Sequence, residues 1–192
     1  LWALQPAHAE GHYRINDPAS HDARAEWRRI FMLEADEPMP DLSGFGAERL
    51  RELAQYVSPP GTYFDVFPIN ILTEASLRAL QSRIPDAQLP VQRFRPNLLL
   101  ADDAAEGLVE DGWVGRRMQV GRQVGLRVIC RAPRCVMTSH AQALLKRDPR
   151  VIRTIVRELQ SCFSVYADVE TPGLVKVGDA ISVAATPEPA PA

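Results

Sequence analysis

Short apolar segments separated by glycine turns constrain the fold of this chain more than any other feature. Residues 116–121 and 123–133, "RRMQVG" and "QVGLRVICRAP", flank a turn at Gly121 and predict two neighbouring strands. Further strands are predicted at 64–72, 94–102, 163–170 and 174–184. Many short strands with few helices indicate a β-rich α+β fold, in which helices lie outside a barrel-like sheet.

A smaller number of segments have the apolar spacing of amphipathic helices. These helices are predicted at residues 47–57, 74–84 and 149–160. Thr73 immediately precedes the second helix and is a predicted N-cap. Residues 27–35, "WRRIFMLEA", form a short apolar run that periodicity does not assign, and we interpret them as a strand.

The charge balance and the cysteine count argue against several classes of partner. Lys and Arg number 22 against 24 Asp and Glu, so charge gives no reason to expect nucleic acid. Three cysteines are an odd number, which is typical of reduced thiols in a cytoplasmic protein rather than of a disulfide framework. No apolar run approaches the roughly 20 residues of a membrane helix, so no membrane association is expected.

Cys135 is the first candidate for chemistry. It follows the predicted strand at 123–133, with Arg134 adjacent and Arg131 four residues before it. Neighbouring cations favour the thiolate, which is a nucleophile and a ligand for soft metals. The alternative interpretation is a buried structural thiol, because free cysteine is among the most buried residue types.

The segment "RFRPN", residues 93–97, is the second candidate. In an extended chain Arg93 and Arg95 point the same way, and paired guanidinium groups suit a phosphate. Asn97 lies on the same face and would contact polar edges of a ligand. The alternative is a solvated strand face, whose charge the acidic residues that follow would balance.

Hydroxyl groups at a predicted helix start are the third candidate. Thr73 and Ser76 lie where free backbone N–H groups suit a phosphate, although an ordinary N-cap without a ligand is the alternative. Glu110 and His140, together with Arg93, are pocket candidates that each have an equally simple surface interpretation.

The sequence contains none of the common catalytic signatures. It has no Gly-rich phosphate loop, no Cys-x-x-Cys pair, no His-Glu-x-x-His and no Gly-x-Ser-x-Gly. A zinc site from Cys130, Cys135 and His140 matches no standard spacing, and we interpret Cys130 and Cys162 as core thiols. Three cysteines do not suffice for a Cys₄ iron–sulfur cluster, so electrons for a redox reaction would come from a separate protein.

Five blocks in a fixed order carry a resemblance to a known family. They are "PINILTEASLRAL", "RFRPNLLLADD", "EDGWVGRRMQVG", "RAPRCVMT" and "TPGLVKVGDAI". Together they resemble the MOSC domain, which is the C-terminal domain of molybdenum cofactor sulfurases and the body of amidoxime-reducing enzymes. The resemblance implies a MOSC-type β-barrel with a few peripheral helices at residues 61–185.

The same resemblance implies how the flanking residues are organised. Residues 1–60 correspond to part of the N-terminal β-barrel region that precedes the domain in relatives, with a predicted strand at 1–5. The basic segment that helps to hold the cofactor in those relatives would precede "LWALQ", outside this sequence. Residues 186–192 are Pro-rich and predicted to be a disordered tail.

Site residues follow from the resemblance by position. Cys135 matches the protein ligand to molybdenum, and the other sulfur ligands of the metal come from the pterin dithiolene. The residues implied to bind the molybdenum cofactor (molybdopterin) are Arg95, Asn97, Thr73, Ser76, Thr138 and Arg134.

Three functions stay open from the sequence. The first is a molybdenum-dependent oxidoreductase that reduces N-hydroxylated or N-oxide substrates, with electrons from a separate reductase or ferredoxin. The second is a non-catalytic carrier of the molybdenum cofactor, or of a persulfide on Cys135 supplied by a cysteine desulfurase, since no pyridoxal-phosphate domain fits within 192 residues. The third is an unrelated small-molecule role, because "SHAQALLKRDPRV" replaces the acidic, Pro-containing turn that is common in relatives.

Overall fold

The computed structural model of the protein describes residues 21–55, 66–101, 104–142 and 144–186. Six strands form its centre: β1 (Ile69–Thr73), β2 (Leu98–Leu100), β3 (Arg117–Val120), β4 (Val124–Pro133), β5 (Cys162–Thr171) and β6 (Ile181–Val183). They form one curled mixed sheet, a half-barrel, in the order β2-β1-β5-β4-β3-β6. The β-rich α+β fold predicted from the sequence is confirmed.

The direction of the strands decides which residues meet at one edge of the sheet. β1 and β4 both run antiparallel to β5, so they run in the same direction and end where β5 begins. Pro133, near the end of β4, is level with Cys162 at the start of β5. The chain that follows β4 therefore emerges beside the end of β1.

Four helices lie around the sheet: α1 (His21–Phe31), α2 (Gly46–Gln55), α3 (Glu74–Arg83) and α4 (Pro149–Glu158). Thr73 caps α3 as predicted, because its hydroxyl oxygen accepts a hydrogen bond from the Ser76 N–H. Single 3₁₀ turns lie at Ser43–Phe45, Val91–Arg93, Val109–Trp113 and Val136–Ser139.

Helix α1 corrects the interpretation of residues 27–35 as a strand. Trp27 and Phe31 stack with ring centroids 5.6 Å apart. Residues four apart meet in this way on a helix, whereas an extended chain would separate them by about 13 Å. The apolar run was too short for periodicity to distinguish these two cases.

Three of the predicted strands are shorter in the structure. In the segment 64–72 the described residues 66–68 are bends, and β1 begins at Ile69. In the segment 94–102 only Leu98–Leu100 is a strand, and Arg93 before it ends a 3₁₀ turn. In the segment 174–184 only Ile181–Val183 is a strand, and Leu174 and Val177 are fully or almost fully exposed. In the segment 94–102, Pro96 and the positive φ of Arg95 interrupt the extended chain. In the segment 174–184, the exposed Leu174 and Val177 do not pack on a neighbouring strand.

The core lies on both faces of the sheet. On one face the central residues of β1, β4 and β5 pack together, including Ile71, Val128 and Val165. On the other face α3 and α4 cover Phe94 and Phe163, whose ring centroids are 4.7 Å apart. This second cluster holds the segment around Phe94 against the sheet.

Glycine is required where the chain passes closely over β4. A Cβ atom on Gly44 would lie 2.6 Å from Cβ of Cys130, so a side chain would force the Ser43–Phe45 turn away from the strand. No helix in the described part of the chain is long and apolar enough to cross a membrane. The strand predicted at residues 1–5 lies outside the described residues, as does all of the Pro-rich tail after residue 186.

Candidate functional site

Cys135 lies immediately beyond the end of β4, where the chain turns away from the sheet. Its backbone is extended, with φ −90° and ψ 176°, and the 3₁₀ turn Val136–Ser139 begins after it. The thiol is free and half-buried, whereas the other two thiols are buried. Of the three cysteines, Cys135 is therefore the one that a ligand can reach.

Arg134 connects this cysteine to the "RFRPN" segment. Its guanidinium is buried and donates from Nη2 to the carbonyl oxygen of Phe94 at 2.6 Å. Its backbone N–H donates to the carbonyl oxygen of Ser161 at 2.8 Å, which fixes the chain just before Cys135 against the start of β5. The structure thus brings together two segments that are 40 residues apart in sequence.

Thr138 closes the turn that begins at Cys135. Its N–H and its Oγ1 hydroxyl both donate to the carbonyl oxygen of Cys135, at 3.3 and 3.1 Å. The side chain of Thr138 is buried, with 2% of the surface of the residue exposed, so it supports the turn from the protein interior. These two bonds hold the peptide unit of Cys135 in one orientation.

Arg93 and Arg95 do not point the same way, which corrects the prediction made for an extended chain. The guanidinium of Arg93 is buried, whereas Arg95 is exposed. The 3₁₀ turn that ends at Arg93 and the positive φ of 51° at Arg95 break the alternation of an extended strand. A left-handed conformation in a non-glycine residue costs on the order of 1–3 kcal/mol and persists only where the surrounding structure holds it.

Asn97 and the buried Asn70 fix the start of β2. The backbone N–H of Asn70 donates to Oδ1 of Asn97 at 2.8 Å, so a ligand contact of Asn97 would use its Nδ2 hydrogens. The side chain of Asn70 donates to the carbonyl oxygen of Phe94 and accepts from the Ser164 hydroxyl, at 3.1 and 2.6 Å. Phe94 is thereby held by Asn70 and Arg134 together.

Thr73 and Ser76 form a second cluster, centred on Glu110. Both hydroxyls donate to Oε2 of Glu110, at 2.8 and 2.7 Å, and all three side chains are buried. Oε1 of Glu110 has no hydrogen-bond partner among the described residues, and burial raises the pKa of this carboxyl. The hydrogen bonds of this cluster lead to the 3₁₀ turn Val109–Trp113 rather than to Cys135.

Cys130 and Cys162 lie elsewhere, in the wall of a cavity of about 860 Å³ between β4, α4 and residues 37–44. Burial raises the pKa of Cys130 to about 12 and that of Cys162 to about 11, so both thiols stay protonated at neutral pH. Cys135 does not line this cavity. Both thiols that line this cavity are therefore unsuited to thiolate chemistry at neutral pH, which leaves Cys135 as the candidate.

The donor groups around Cys135 suit a cofactor that brings most of its own metal ligands. In the described part of the chain no three His, Cys, Asp or Glu side chains stand close enough to hold a metal ion. A single reachable thiol fits a metal that is already bound to sulfur in a pterin dithiolene. The exposed guanidinium of Arg95 and the Nδ2 group of Asn97 are donors suited to phosphate and pterin oxygens.

Comparison with known proteins assigns the family. The family model described as "MOSC domain" matches residues 60–182, which is more than half of the chain. The chain belongs to the MOSC domain family. The resemblance drawn from the five sequence blocks is therefore confirmed, and the half-barrel of this MOSC chain belongs to a domain associated with the molybdenum cofactor.

Relatives of the MOSC chain include mitochondrial proteins. It is 29% identical over 132 residues to mitochondrial amidoxime reducing component 2 of Macaca fascicularis, covering 62% of this chain and 38% of the relative. It is 27% identical over 132 residues to component 1 of Homo sapiens, covering 62% and 37%. It is 32% identical over 126 residues to component 1 of Danio rerio, covering 62% and 36%. The chain thus spans less than two fifths of the length of these relatives.

Two residues of this MOSC chain have a structural role that the sequence did not predict. Asn70 was not singled out, and Arg93, predicted to face a ligand, is buried among backbone carbonyl groups. Asn70 is a single polar residue inside the apolar segment "INILT", which was the available signal. A buried amide needs hydrogen-bond partners, and here they come from Phe94 and Ser164. Those partners are distant in sequence, so only the tertiary structure identifies them.

Proposed function

We propose that this chain is the cofactor-binding part of a molybdenum-dependent oxidoreductase that reduces N-hydroxylated or N-oxide compounds. One observation carries the proposal: Cys135 is the one thiol that is not buried, and it stands in a turn that Arg134 joins to the segment of Arg95 and Asn97. The names of the relatives as amidoxime-reducing components support the choice of reaction. Cytoplasmic location remains part of the proposal.

Each residue has a defined task in this proposal. The Cys135 thiolate binds the metal, Arg95 binds the cofactor phosphate, and Asn97 donates to the pterin through Nδ2. Arg134 and Thr138 are buried, and they orient the Cys135 peptide through the hydrogen bonds described above. Thr73 and Ser76 support the cofactor side of the site from the start of α3, where Glu110 fixes their hydroxyls.

The cofactor, when bound, supplies a two-electron redox couple that accepts the oxygen atom of the substrate. The overall reaction consumes two electrons and two protons: the N–O bond breaks and the oxygen leaves as water. With an N-hydroxylated substrate an N–H bond forms, whereas with an N-oxide both protons leave in the water. Residues around Cys135 shape the entrance for the substrate. Met137 is half-exposed there, and it provides an apolar contact for a small organic molecule.

The two electrons come from a separate carrier protein, such as a reductase or ferredoxin. Residues 112–147, which surround Cys135 in sequence, contain no Asp or Glu. The segment after Cys135 exposes the side chains of Leu144, Lys146 and Arg147. A surface of this kind suits a carrier with an acidic face, because opposite charges accelerate association.

Metal content tests the proposal most directly. The full-length protein, co-expressed with the enzymes of cofactor synthesis, is expected to carry near-stoichiometric molybdenum by elemental mass spectrometry. The Cys135→Ser variant is expected to lose it, whereas Cys162→Ala, which removes a buried thiol, is the matched control and retains it. Full metal content and full activity in Cys135→Ser would refute the assignment.

A second candidate function uses the same thiol. Because Cys135 is free and reachable while Cys130 and Cys162 are buried, the chain also fits a carrier of a persulfide or of the intact cofactor. Incubation with a cysteine desulfurase would then increase the mass of the peptide containing Cys135 by one sulfur atom. Absence of that transfer, together with substrate reduction by the metal-loaded protein, decides against the carrier.

A further inference from the structure

The guanidinium of Arg93 is buried, with 2% of the surface of the residue exposed. The pKa of the Asp148 carboxyl is lowered mainly by its hydrogen bond from Arg150, and the charge of Arg93 contributes to the same shift. The hydrogen bonds of Arg93 itself go to backbone carbonyl groups. Nε donates to Gln88 O at 2.8 Å, Nη1 donates to Thr138 O at 3.4 Å and His140 O at 3.2 Å, and Nη2 donates to Lys146 O at 2.8 Å.

Three of these four carbonyls belong to the segment that follows Cys135. That segment, residues 136–147, contains a 3₁₀ turn and a tight turn in which Gln142 and Leu145 exchange backbone hydrogen bonds at 3.0 and 2.7 Å. The Nε2 group of Gln142 also donates to the carbonyl oxygen of Met137 at 3.2 Å. Ser139 ties this segment to the start of α4, because its carbonyl accepts from the Asp148 N–H at 2.9 Å and its hydroxyl accepts from the Ile152 N–H at 3.0 Å. Arg93 ties the segment to the chain that precedes Arg95.

The contacts of Arg93 reach Cys135 through Thr138. The Thr138 carbonyl accepts from Arg93, while the Thr138 N–H and hydroxyl both donate to the Cys135 carbonyl. On its other side Arg93 is two residues from Arg95 in the chain. Arg93 therefore forms a second link, beside that of Arg134 to Phe94, between the turn of Cys135 and the segment proposed to bind the cofactor phosphate.

We propose that Arg93 is a positioning residue that sets the orientation of Cys135 and, with it, the capacity of the site to retain the cofactor. The part of this proposal that concerns cofactor retention rests on the proposed function. The part that concerns the orientation of the Cys135 thiol is independent of it. A guanidinium is required because its planar fork directs several N–H groups to separate acceptors at once. A lysine ammonium is a point charge with three donors on one atom and does not span the same carbonyls.

Thiol alkylation tests the positioning without any cofactor. The full-length protein, Arg93→Met and Arg93→Lys are treated with iodoacetamide below the unfolding temperature, and each cysteine is followed by peptide mass spectrometry. Arg127→Met is the matched control. Arg127 is also buried, but it donates to Glu170 near the end of β5, at the end of the β4–β5 pair that is far from Cys135. Buried Cys130 and Cys162 report any global unfolding within the same sample.

We expect both Arg93 variants to raise the alkylation rate of Cys135 by about tenfold or more, since losing one hydrogen bond to a charged group already corresponds to that factor. Cys130 and Cys162 are expected to stay unmodified, and Arg127→Met is expected to leave the rate of Cys135 unchanged. An unchanged rate in Arg93→Met overturns the proposal. An equal rise at all three cysteines also overturns it, because Arg93 would then only stabilise the fold.

Molybdenum content separates this proposal from the proposed function. If Cys135 binds the metal, protein purified from cells that make the cofactor is expected to lose more than half of its molybdenum on Arg93→Met. If Cys135→Ser retains its molybdenum, the proposed function fails, whatever the alkylation rates show. If Cys135→Ser loses the metal and Arg93→Met keeps all of it, the proposed function stands and the role of Arg93 fails.

Discussion

Arg134 Nη2 donates to the carbonyl oxygen of Phe94 across 2.6 Å, with the guanidinium buried. This bond joins the cysteine turn to the "RFRPN" segment. Asn70 donates to the same carbonyl at 3.1 Å, so the oxygen serves as a common anchor for β1 and for the chain after β4. The two segments that the sequence assigned to one cofactor site are thus physically linked.

Replacing Arg134 by methionine is expected to weaken this link while preserving most of the buried apolar stem. The free energy of unfolding should fall by about 1–3 kcal/mol, the usual cost of losing a buried hydrogen bond to a charged group. Urea denaturation measures the change. Arg122→Met, at an exposed position before β4, is the control and should stay within about 0.5 kcal/mol of the wild type. Equal stability of the two variants would contradict this role.

The two buried thiols predict a loss of stability at high pH. The pKa of Cys130 rises from 9.0 to about 12 and that of Cys162 from 9.0 to about 11, in both cases mainly through burial. Above pH 9 the unfolded chain releases these protons while the folded chain retains them, so stability falls with pH until the folded pKa values are passed. Urea midpoints measured between pH 8 and pH 11 are expected to decrease.

The cysteine origin of that decrease can be checked with a variant. Cys162→Ala removes one titrating group, so its urea midpoint should fall less steeply over the same pH range than that of the wild type. Cys135→Ala serves as the comparison, because this thiol is only half-buried. Identical slopes for the wild type and Cys162→Ala would show that other groups cause the alkaline loss.

The buried carboxyl of Glu110 is also expected to make the stability of the fold decrease as the pH rises, but at lower pH values than the two thiols. Burial raises the pKa of its carboxyl above 4.5, against the hydrogen bonds from Ser76 and Thr73 that lower it. Its contribution to stability is therefore complete below pH 4.5 and decreases as the pH rises through the folded pKa. Glu110→Gln cannot ionise, so its stability relative to the wild type should improve between pH 4.5 and pH 7.

A truncation at the same position separates charge from hydrogen bonding. Glu110→Ala leaves the hydroxyls of Thr73 and Ser76 without their acceptor and opens a cavity, so unfolding should become easier by about 2–4 kcal/mol. Thermal unfolding at pH 5 and pH 7 measures both variants. Equal effects of the Gln and Ala substitutions would mean that the hydroxyl contacts contribute nothing.

Glu37 predicts a stability loss in acid. Its carboxylate accepts from Arg153 at 2.6 and 2.9 Å and ties the chain after α1 to α4. These hydrogen bonds lower the pKa of Glu37 from 4.5 to about 2, so its contribution is present above pH 4.5 and is lost as the pH falls toward 2. Glu37→Gln should reduce the acid dependence of the urea midpoint in that range, with Glu158→Gln as an exposed control.

Much of the fold was accessible from local patterns. The strands β3 and β4 and the helices α3 and α4 lie within the predicted segments, while β5 extends beyond its segment by one residue at each end and α2 by one residue at its start, because each has a clear period and a clear boundary residue. The segments at 27–35 and 94–102 were misjudged where those signals fail. In the second, Pro96 and the positive φ at Arg95 replace an extended strand with a turn, which residue alternation does not reveal.

In the candidate site, too, some features were predictable from local sequence patterns and others were not. Cys135 was identified from its sequence context, and its place at the end of β4 follows from the predicted strand. The different fates of Arg93 and Arg95, one buried and one exposed, depend on carbonyl groups as much as 53 residues away. No local pattern contains that information, because each acceptor is an ordinary peptide group until the fold brings it near.

The amino-acid sequence by itself determined the family and the β-rich architecture and pointed to Cys135 as the candidate thiol, because these depend on the order of residues and on short-range periodicity. The tertiary structure alone decided which polar groups are buried together. It assigned the hydroxyls of Thr73 and Ser76 to Glu110, and it placed Arg93 among the carbonyls beyond Cys135. The physical reason is that a buried polar group without a hydrogen bond costs free energy, so most buried polar groups have partners, and only the folded chain determines which partners are near.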